Sequence, residues 1–213
     1  MVAPIPRPRQ NPAQHWPREI HLSLDEAAPP RALTVAVFCG SRAGANPAFA
    51  EAAAALGEGL ARAGIGLVYG GGSKGNMGIL ADAALAAGGR ITGVIPGFLE
   101  GQELAHRGLT ELLVVESMHA RKARMIALSD AIVALPGGLG TMDELIEAIT
   151  WRSLGLHAKP IYVCNVAGWA DGFLAMTRQA ERDGFTYRPK SALFEVVPDV
   201  ASLLRGLSRV GSN

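Results

Sequence analysis

The sequence predicts an α/β protein whose sheet is Rossmann-like, doubly wound, mainly parallel and about seven strands wide. Seven short apolar runs, rich in β-branched residues, occupy residues 33–39, 67–69, 91–95, 112–115, 131–135, 161–164 and 194–197. The runs are near-continuous rather than alternating, which is typical of strands buried on both faces of a parallel sheet. Helical patterns lie between them, and this alternation favours an open sheet with helices on both faces.

Five helices are predicted, at residues 46–62, 77–87, 119–129, 142–154 and 169–183. Asn46 is a residue type that caps helix N-termini, and Pro47 suits the first helical position. Gly64 marks the end of the first helix, and Gly88 with Gly89 marks the end of the second. In sheets of this class ligands bind beyond the carboxyl ends of the strands, so the loops that follow the strands are the places to look for a site.

Length and composition fit a single cytoplasmic domain. The chain has 213 residues, of which 49% are hydrophobic, and its net charge of +1 gives no indication of a nucleic-acid surface. No uncharged apolar stretch reaches the roughly 18 residues that a membrane span needs. Residues 1–30 are rich in Pro and Arg, lack the apolar core of a signal peptide, and are interpreted as an extension to a domain at residues 31–213. Cys39 and Cys164 form no CxxC pair and are interpreted as reduced core thiols.

The most informative segment is the glycine loop at residues 136–144, Pro-Gly-Gly-Leu-Gly-Thr-Met-Asp-Glu. It follows a predicted strand and opens a predicted helix, so free backbone N–H groups and the positive end of a helix dipole face the same space. Gly137, Gly138 and Gly140 have no Cβ, and an anion can therefore approach the backbone closely. Glu144, about one turn into the helix, repels a phosphate. It serves either helix-end stabilisation or chemistry on a neighbouring part of a phosphorylated ligand.

Two further loops follow predicted strands. Ser41, in the segment 39–42, either bonds a ligand phosphate or base, or is a turn serine leading to the Asn46 cap. Gly70, Gly72 and Gly75 match the pattern GxGxxG between a strand and a helix. A dinucleotide site also needs an acidic residue at the end of the next strand, and none is present there. This second glycine loop is interpreted as lining a mononucleotide pocket, with a tight turn alone as the alternative.

Two cations, Arg121 and Lys122, lie early in the helix predicted at 119–129. Cations are mildly unfavourable near a helix N-terminus, so a basic pair there indicates an anionic partner, either a ligand or a carboxylate. A plain surface cluster is the alternative. His119 is interpreted as structural, because no nucleophile is visible beside it. No histidine has metal-ligand spacing, and no G-x-S-x-G nucleophile motif occurs.

Taken together, the segments 70–78, 118–122 (Met-His-Ala-Arg-Lys) and 136–144 closely resemble the Lonely Guy family. Its members are cytokinin riboside 5′-monophosphate phosphoribohydrolases, formerly labelled lysine decarboxylases. The resemblance extends over about residues 33–197. It implies hydrolysis of the N-glycosidic bond of N6-modified AMP, or of AMP itself, to free base and ribose 5-phosphate. It also implies a homodimer, with further assembly in some members, and no metal or organic cofactor.

The resemblance implies roles for particular residues. Arg121 and Glu144 match the family's essential pair. Its other substrate contacts match the residues Glu103, Lys122, Gly137, Gly138, Leu139, Gly140, Thr141 and Thr150, to which the loop residues Ser41 and Gly72 are added. In the predicted mechanism, backbone N–H groups of the glycine loop bind the phosphate, and Glu144 stabilises positive charge on the ribose. Arg121 is expected to bind the phosphate or the ribose hydroxyls and to hold Glu144 ionised, because a nearby cation lowers a carboxyl pKa by about 1–3 units.

Two other functions remain open. An amino-acid decarboxylase needs pyridoxal phosphate on a lysine, and none of the four lysines lies in a recognisable site for that cofactor. A non-catalytic carrier of nucleotides or of the molybdenum pterin cofactor would use the same fold. Such a carrier has no need of the Arg121 and Glu144 pair.

Overall fold

The computed structural model describes residues 32–100, 105–186 and 188–210. The extension predicted at residues 1–30 and the candidate contact Glu103 lie outside the described residues.

All strands of the structure form one parallel sheet in the order β4-β3-β2-β1-β5-β6-β7. The strands are β1 Thr34–Phe38, β2 Gly66–Tyr69, β3 Ile91–Pro96, β4 Glu111–Val115, β5 Ala131–Ala134, β6 Ile161–Cys164 and β7 Glu195–Val197. Each strand overlaps one of the seven predicted runs, so the predicted fold class is confirmed. Val35 of β1 pairs with Leu67 of β2 on one side and with Ala131 of β5 on the other, which makes β1 the centre of the sheet.

Helices cover the sheet on both faces. They are α1 Pro47–Arg62, α2 Gly75–Ala86, α3 Gly97–Leu99, α4 Met118–Ala127, α5 Leu139–Ser153, α6 Asp171–Arg182, α7 Lys190–Leu193 and α8 Val200–Val210, with a short 3₁₀ turn at Val166–Gly168. The five predicted helices are all present, with ends that differ by up to three residues. Asn46 caps α1 as predicted, since its side chain accepts a hydrogen bond of 3.0 Å from the Ala48 N–H.

Helix α8 is present although no helix was predicted there. Its apolar residues Val200, Leu203, Leu204 and Leu207 recur at helical spacing. The side chain of Asp199 accepts a hydrogen bond of 2.7 Å from the Ser202 N–H, as an N-cap does. Both signals are readable in the sequence, beyond the last predicted strand at residues 194–197.

Alternate residues of the central strand β1 belong to two hydrophobic clusters, one on each face of the sheet. Val35 and Val37 pack on one face against α1, α2 and α8. Ala36 and Phe38 pack on the other face against α4, α5 and α6. Side chains of a strand alternate between faces, so this two-sided burial explains the near-continuous apolar runs. Among the described helices, none is both long and apolar enough to cross a membrane.

The chain leaves β1 toward β2 on one side and β5 toward β6 on the other, so the strand order reverses between β1 and β5. Loops that leave neighbouring strands in opposite directions open a crevice at the carboxyl edge of such a sheet. The Ser41 loop follows β1, and the glycine loop at residues 136–144 follows β5. The topology therefore brings two predicted site segments to one crevice.

Candidate active site

A cavity of about 440 Å³ occupies this crevice. Its lining combines three loops at the carboxyl edge with the first turns of α4 and α5, and consists of Cys39, Gly40, Ser41, Arg42, Gly70, Gly72, Lys74, Met77, Ile95, Leu99, Met118, Arg121, Gly138, Leu139, Gly140, Thr141 and Glu144. Eight of the predicted site residues belong to this lining: Ser41, Gly72, Arg121, Gly138, Leu139, Gly140, Thr141 and Glu144. The volume falls within the range of small-molecule sites.

Where α5 lines the cavity, the lining is a helix N-terminus that no side chain caps. The helix begins at Leu139, three residues earlier than predicted, and Gly138 has no side chain with which to cap it. Its first intrahelical hydrogen bond runs from the Met142 N–H to the Gly138 carbonyl, 3.1 Å. The N–H groups of the preceding turn therefore have no intrahelical acceptor. A Cβ added at Gly138 or Gly140 would meet no atom of the described chain within 4 Å, so both positions border open space.

Gly137 has a different role from its two neighbours. It does not line the main cavity but a second, adjoining one of about 290 Å³. A Cβ at this position would lie 2.0 Å from the Thr141 Oγ1 and 2.8 Å from the Gly40 N. Its missing side chain therefore allows the glycine loop to pack against α5 and the Ser41 loop.

Two backbone carbonyls accept hydrogen bonds from the Arg121 guanidinium and hold it in place. Its Nε donates to the Val94 carbonyl at 3.0 Å and its Nη2 to the Gly70 carbonyl at 2.9 Å. The residue is 6% exposed, which is low for an arginine. The two bonds leave Nη1 directed toward Glu144. A cation early in α4 is thus explained by strand-end carbonyls and a carboxylate rather than by solvent.

Gly70 makes room for this guanidinium. A Cβ at position 70 would lie 1.7 Å from the Arg121 Nη2. We expect Gly70→Ala to displace Arg121 and, if Arg121 takes part in the reaction, to lower kcat/KM by at least about tenfold, since a misplacement of 1 Å can cost about 100-fold. A double-mutant cycle measures the cause. If Gly70→Ala acts through Arg121, it costs little more in an Arg121→Ala background, and full additivity of the two losses refutes this explanation.

Arg121 and Glu144 face each other at the edge of the cavity. Their Nη1 and Oε1 atoms are 3.5 Å apart, and the side chains are 7% and 5% exposed. Burial raises the pKa of Glu144 to about 7, although Arg121 acts to lower it. Arg121 thus lowers the pKa of Glu144 as expected, but desolvation of the carboxylate outweighs the cation, so the net pKa lies above its ordinary value. A carboxyl group whose pKa is raised toward neutrality is suited to proton transfer.

Lys122 points away from the cavity, in contrast to the predicted nucleotide contact. Its Nζ donates to Asp143 at 2.9 Å and to Glu147 at 2.6 Å, both on α5. Burial alone would lower the pKa of Lys122, but the two carboxylates outweigh burial and raise it. The three side chains connect α4 to α5 beside Arg121 and Glu144. In this arrangement Lys122 supports the pair rather than lining the cavity.

Thr150 does not reach the cavity either. It is exposed on α5, and its hydroxyl donates to the Ile146 carbonyl of the preceding turn at 2.8 Å. His119 stacks edge-on against Trp151 with ring centroids 6.4 Å apart, which agrees with a structural role. Within the described ranges, no group of three His, Cys, Asp or Glu residues is arranged to hold a metal ion.

Sequence reasoning missed two cations of the cavity. Arg42 follows β1, and Lys74 precedes α2; both are exposed and line the cavity. With Arg121 they give three positive side chains against the one carboxyl group, that of Glu144, among the lining residues that the structure describes, and this balance favours an anion. Their positions in the loops that follow β1 and β2 were the available signal. The apolar side chains of the lining form the apolar wall of the cavity and are those of Met77, Ile95, Leu99, Met118 and Leu139.

Comparison with known proteins places these features in a family. The profile of a family described as "Possible lysine decarboxylase" matches residues 77–207, more than half of the chain. A "Probable cytokinin riboside 5′-monophosphate phosphoribohydrolase" of Oryza sativa subsp. japonica is 46% identical over 173 residues, which cover 81% of this chain and 76% of that protein. The enzyme named cytokinin riboside 5′-monophosphate phosphoribohydrolase in Rhodococcoides fascians is 46% identical over 164 residues, 76% of this chain and 83% of its own.

Solved structures share the architecture at lower identity. The molybdenum cofactor carrier protein of Chlamydomonas reinhardtii superposes with a TM-score of 0.67 at 23% identity, over 86% of this chain and all of that one. At this identity the likeness demonstrates the fold alone.

Proposed function

The chain belongs to the family of the cytokinin riboside 5′-monophosphate phosphoribohydrolases, and on this basis we propose that it hydrolyses the N-glycosidic bond of AMP or of N6-modified AMP. The products are the free base and ribose 5-phosphate. The observation that carries the proposal is the buried pair of Arg121 and Glu144 beside an uncapped helix N-terminus in one cavity. This arrangement combines an anchor for phosphate with a carboxyl group of suitable pKa.

We assign the 5′-phosphate to the N–H groups at the start of α5. Gly138 and Gly140 border open space, and the helix dipole favours an anion there. Arg42 and Lys74 add positive charge at the same cavity. Since the phosphate is only a few bonds from the anomeric carbon C1′, anchoring it positions the ribose near Glu144. We assign the base to the apolar wall of the cavity.

The chemistry then follows from the position of Glu144. Breaking the C1′–N bond leaves positive charge on the ribose and gives the electron pair to the base, as in other glycoside hydrolyses. The Glu144 carboxylate stabilises that charge, orients the attacking water and accepts its proton. The oxygen of this water forms the new bond to C1′, the departing base takes up a proton from solvent, and Glu144 releases to solvent the proton that it accepted. Arg121, fixed by two carbonyls, holds the carboxyl group in place.

Gly140→Ala tests the phosphate anchor. Position 140 is the second residue of α5, and Ala there favours the helix while its methyl group occupies the anion's space. We expect the KM for AMP to rise at least about tenfold with no loss of thermal stability. Gly172→Ala is the matched control, because Gly172 is the second residue of α6 and also has no neighbour within 4 Å. Equal KM values for the two variants would contradict the anchor.

Incubation with AMP and detection of free adenine tests the reaction itself. Hydrolysis of AMP with at least about tenfold lower activity on adenosine supports the proposal, because adenosine lacks the anchored phosphate. Tight binding of AMP without release of adenine would favour the carrier function.

The decarboxylase function is tested by an absorbance scan for an internal aldimine. Two of its candidate lysines are already engaged, Lys122 by carboxylates and Lys159 by the Ile126 and Ser129 carbonyls.

We propose in addition that the protein is a cytoplasmic homodimer, with residues 1–30 as an extension to the domain at 31–213. Buried, unpaired Cys39 and Cys164 suit a reducing compartment. Leu139 and Ile146 of α5, and Leu154 directly after the helix, are exposed at spacings of seven and eight residues, and therefore on one face. An apolar stripe of this kind is typical of an interface. Analytical ultracentrifugation tests this, and a monomer at micromolar concentration would contradict it.

A further inference from the structure

The carbonyl groups of the glycine loop are held by three neighbouring elements. The Asn76 Nδ2 donates to the Pro136 carbonyl at 3.2 Å, and the Gly40 N–H donates to the same oxygen at 3.1 Å. The Trp169 indole Nε1 donates to the Gly137 carbonyl at 2.9 Å. Neither Pro136 nor Gly137 lines the main cavity, whereas Gly138 does. The oxygens are thus bound on one side of the loop while the next amide lies at the cavity.

Peptide geometry connects these two facts. In a planar trans peptide the C=O and N–H groups point in opposite directions. A hydrogen bond that holds the Gly137 carbonyl toward Trp169 therefore turns the Gly138 N–H away from Trp169. We propose that Trp169 is a positioning residue for anion binding, which keeps the peptide between Gly137 and Gly138 with its N–H toward the phosphate.

This peptide needs such a restraint because it joins two glycines. Glycine has more backbone freedom than any other residue, so a Gly-Gly peptide can rotate at low cost. A rotated peptide would present a carbonyl oxygen to the phosphate in place of an N–H donor. The Trp169 indole disfavours that rotation, since it would leave the half-buried Nε1 without its acceptor.

Hydrogen bonds hold the backbone around Trp169, in the segment that follows β6, the strand next to β5. Its backbone N–H donates to the Val166 carbonyl at 3.0 Å. The side chain of Asn165 accepts from the Ala170 N–H at 2.7 Å and donates to Asp171 at 2.8 Å. These bonds fix the 3₁₀ turn and the start of α6 around the indole. A donor on a backbone fixed by hydrogen bonds can hold its acceptor, the Gly137 carbonyl, in one orientation, as a positioning role requires.

The inference rests on the proposed function, in which the glycine loop binds phosphate. Its test compares Trp169→Phe, which keeps a ring and removes the Nε1–H, with the same change at Trp151, a half-buried residue of α5. Dissociation constants are measured for ribose 5-phosphate and for adenosine. We expect Trp169→Phe to raise the dissociation constant for ribose 5-phosphate about five- to tenfold, the loss expected of one hydrogen bond. The dissociation constant for adenosine should rise less than about twofold. Trp151→Phe changes neither constant by more than about twofold.

An unchanged dissociation constant for ribose 5-phosphate overturns the role of Trp169, and so does equal weakening of both ligands, which would indicate a general structural effect. If the unmutated protein does not bind ribose 5-phosphate, or if Gly140→Ala does not weaken it, the proposed phosphate anchor itself fails. Should Trp169→Phe fold poorly, the protein labelled with ¹⁵N-glycine and titrated with inorganic phosphate provides a second measurement. The Gly138 amide is expected to shift most among the glycines, and an unshifted Gly138 overturns the inference.

Discussion

Glu144→Gln is expected to lower kcat on AMP by at least about 100-fold while leaving the affinity for AMP within a few-fold. The substitution keeps the size of the side chain and removes both the negative charge and the capacity to accept a proton. Burial makes the loss severe, because the side chain is 5% exposed and solvent provides little substitute. Single-turnover kinetics and equilibrium binding measure the two quantities separately. Turnover within a few-fold of the unmutated protein would exclude Glu144 from the mechanism.

The raised pKa of Glu144 adds a signature in pH. If the ionised carboxylate is the active form, kcat/KM, which reports the pKa of the free enzyme, falls as the pH falls through about 7, and this limb is absent in Glu144→Gln. Stability follows the opposite trend. Between the ordinary value of 4.5 and about 7 the native state binds more protons than the unfolded state, so the free energy of unfolding decreases as the pH rises through that window. Glu144→Gln removes this dependence, which urea denaturation at several pH values measures.

Arg121→Met is the second substitution with a large expected effect. It removes the donors to the Val94 and Gly70 carbonyls and leaves Glu144 without its cation. We expect kcat/KM to fall at least about 100-fold. The free energy of unfolding should fall by about 1–3 kcal/mol, the cost of buried acceptors left without donors. Steady-state kinetics and chemical denaturation measure the two losses.

Arg124→Met is the matched control for this substitution. Arg124 lies on the same helix, three residues after Arg121, and is exposed. Exposed substitutions of this kind usually change stability by less than about 0.5 kcal/mol, and its activity should stay within about twofold. If Arg121→Met were no more harmful than Arg124→Met, the buried pair would have no part in catalysis.

The fold could be predicted because its signals are local and repeated. Seven near-continuous apolar runs separated by helical patterns predict a parallel sheet, and strand ends then bring the loops of Ser41 and Gly138 to one edge. The identity of Arg121 and Glu144 as a pair came from the resemblance to a family. Their contact depends on the packing of α4 against α5, which no local pattern encodes.

The parts that were not predicted depend on burial and on contacts between distant residues. The pKa of Glu144 is a balance of desolvation against the charge of Arg121, and only the folded state determines how much water is excluded. Lys122 was expected at the ligand because it follows Arg121, yet helical geometry turns adjacent side chains about 100° apart. It meets Asp143 and Glu147 instead. Trp169 is 32 residues from the carbonyl it binds, and no local pattern connects the two.

The most direct measurement is a crystal structure of the Glu144→Gln variant with AMP bound. We expect phosphate oxygens within about 3.2 Å of the amide nitrogens at the start of α5, with C1′ beside the side chain of residue 144. The base should lie against the apolar wall. A phosphate bound elsewhere, with residue 144 directed away from the ribose, would contradict the account.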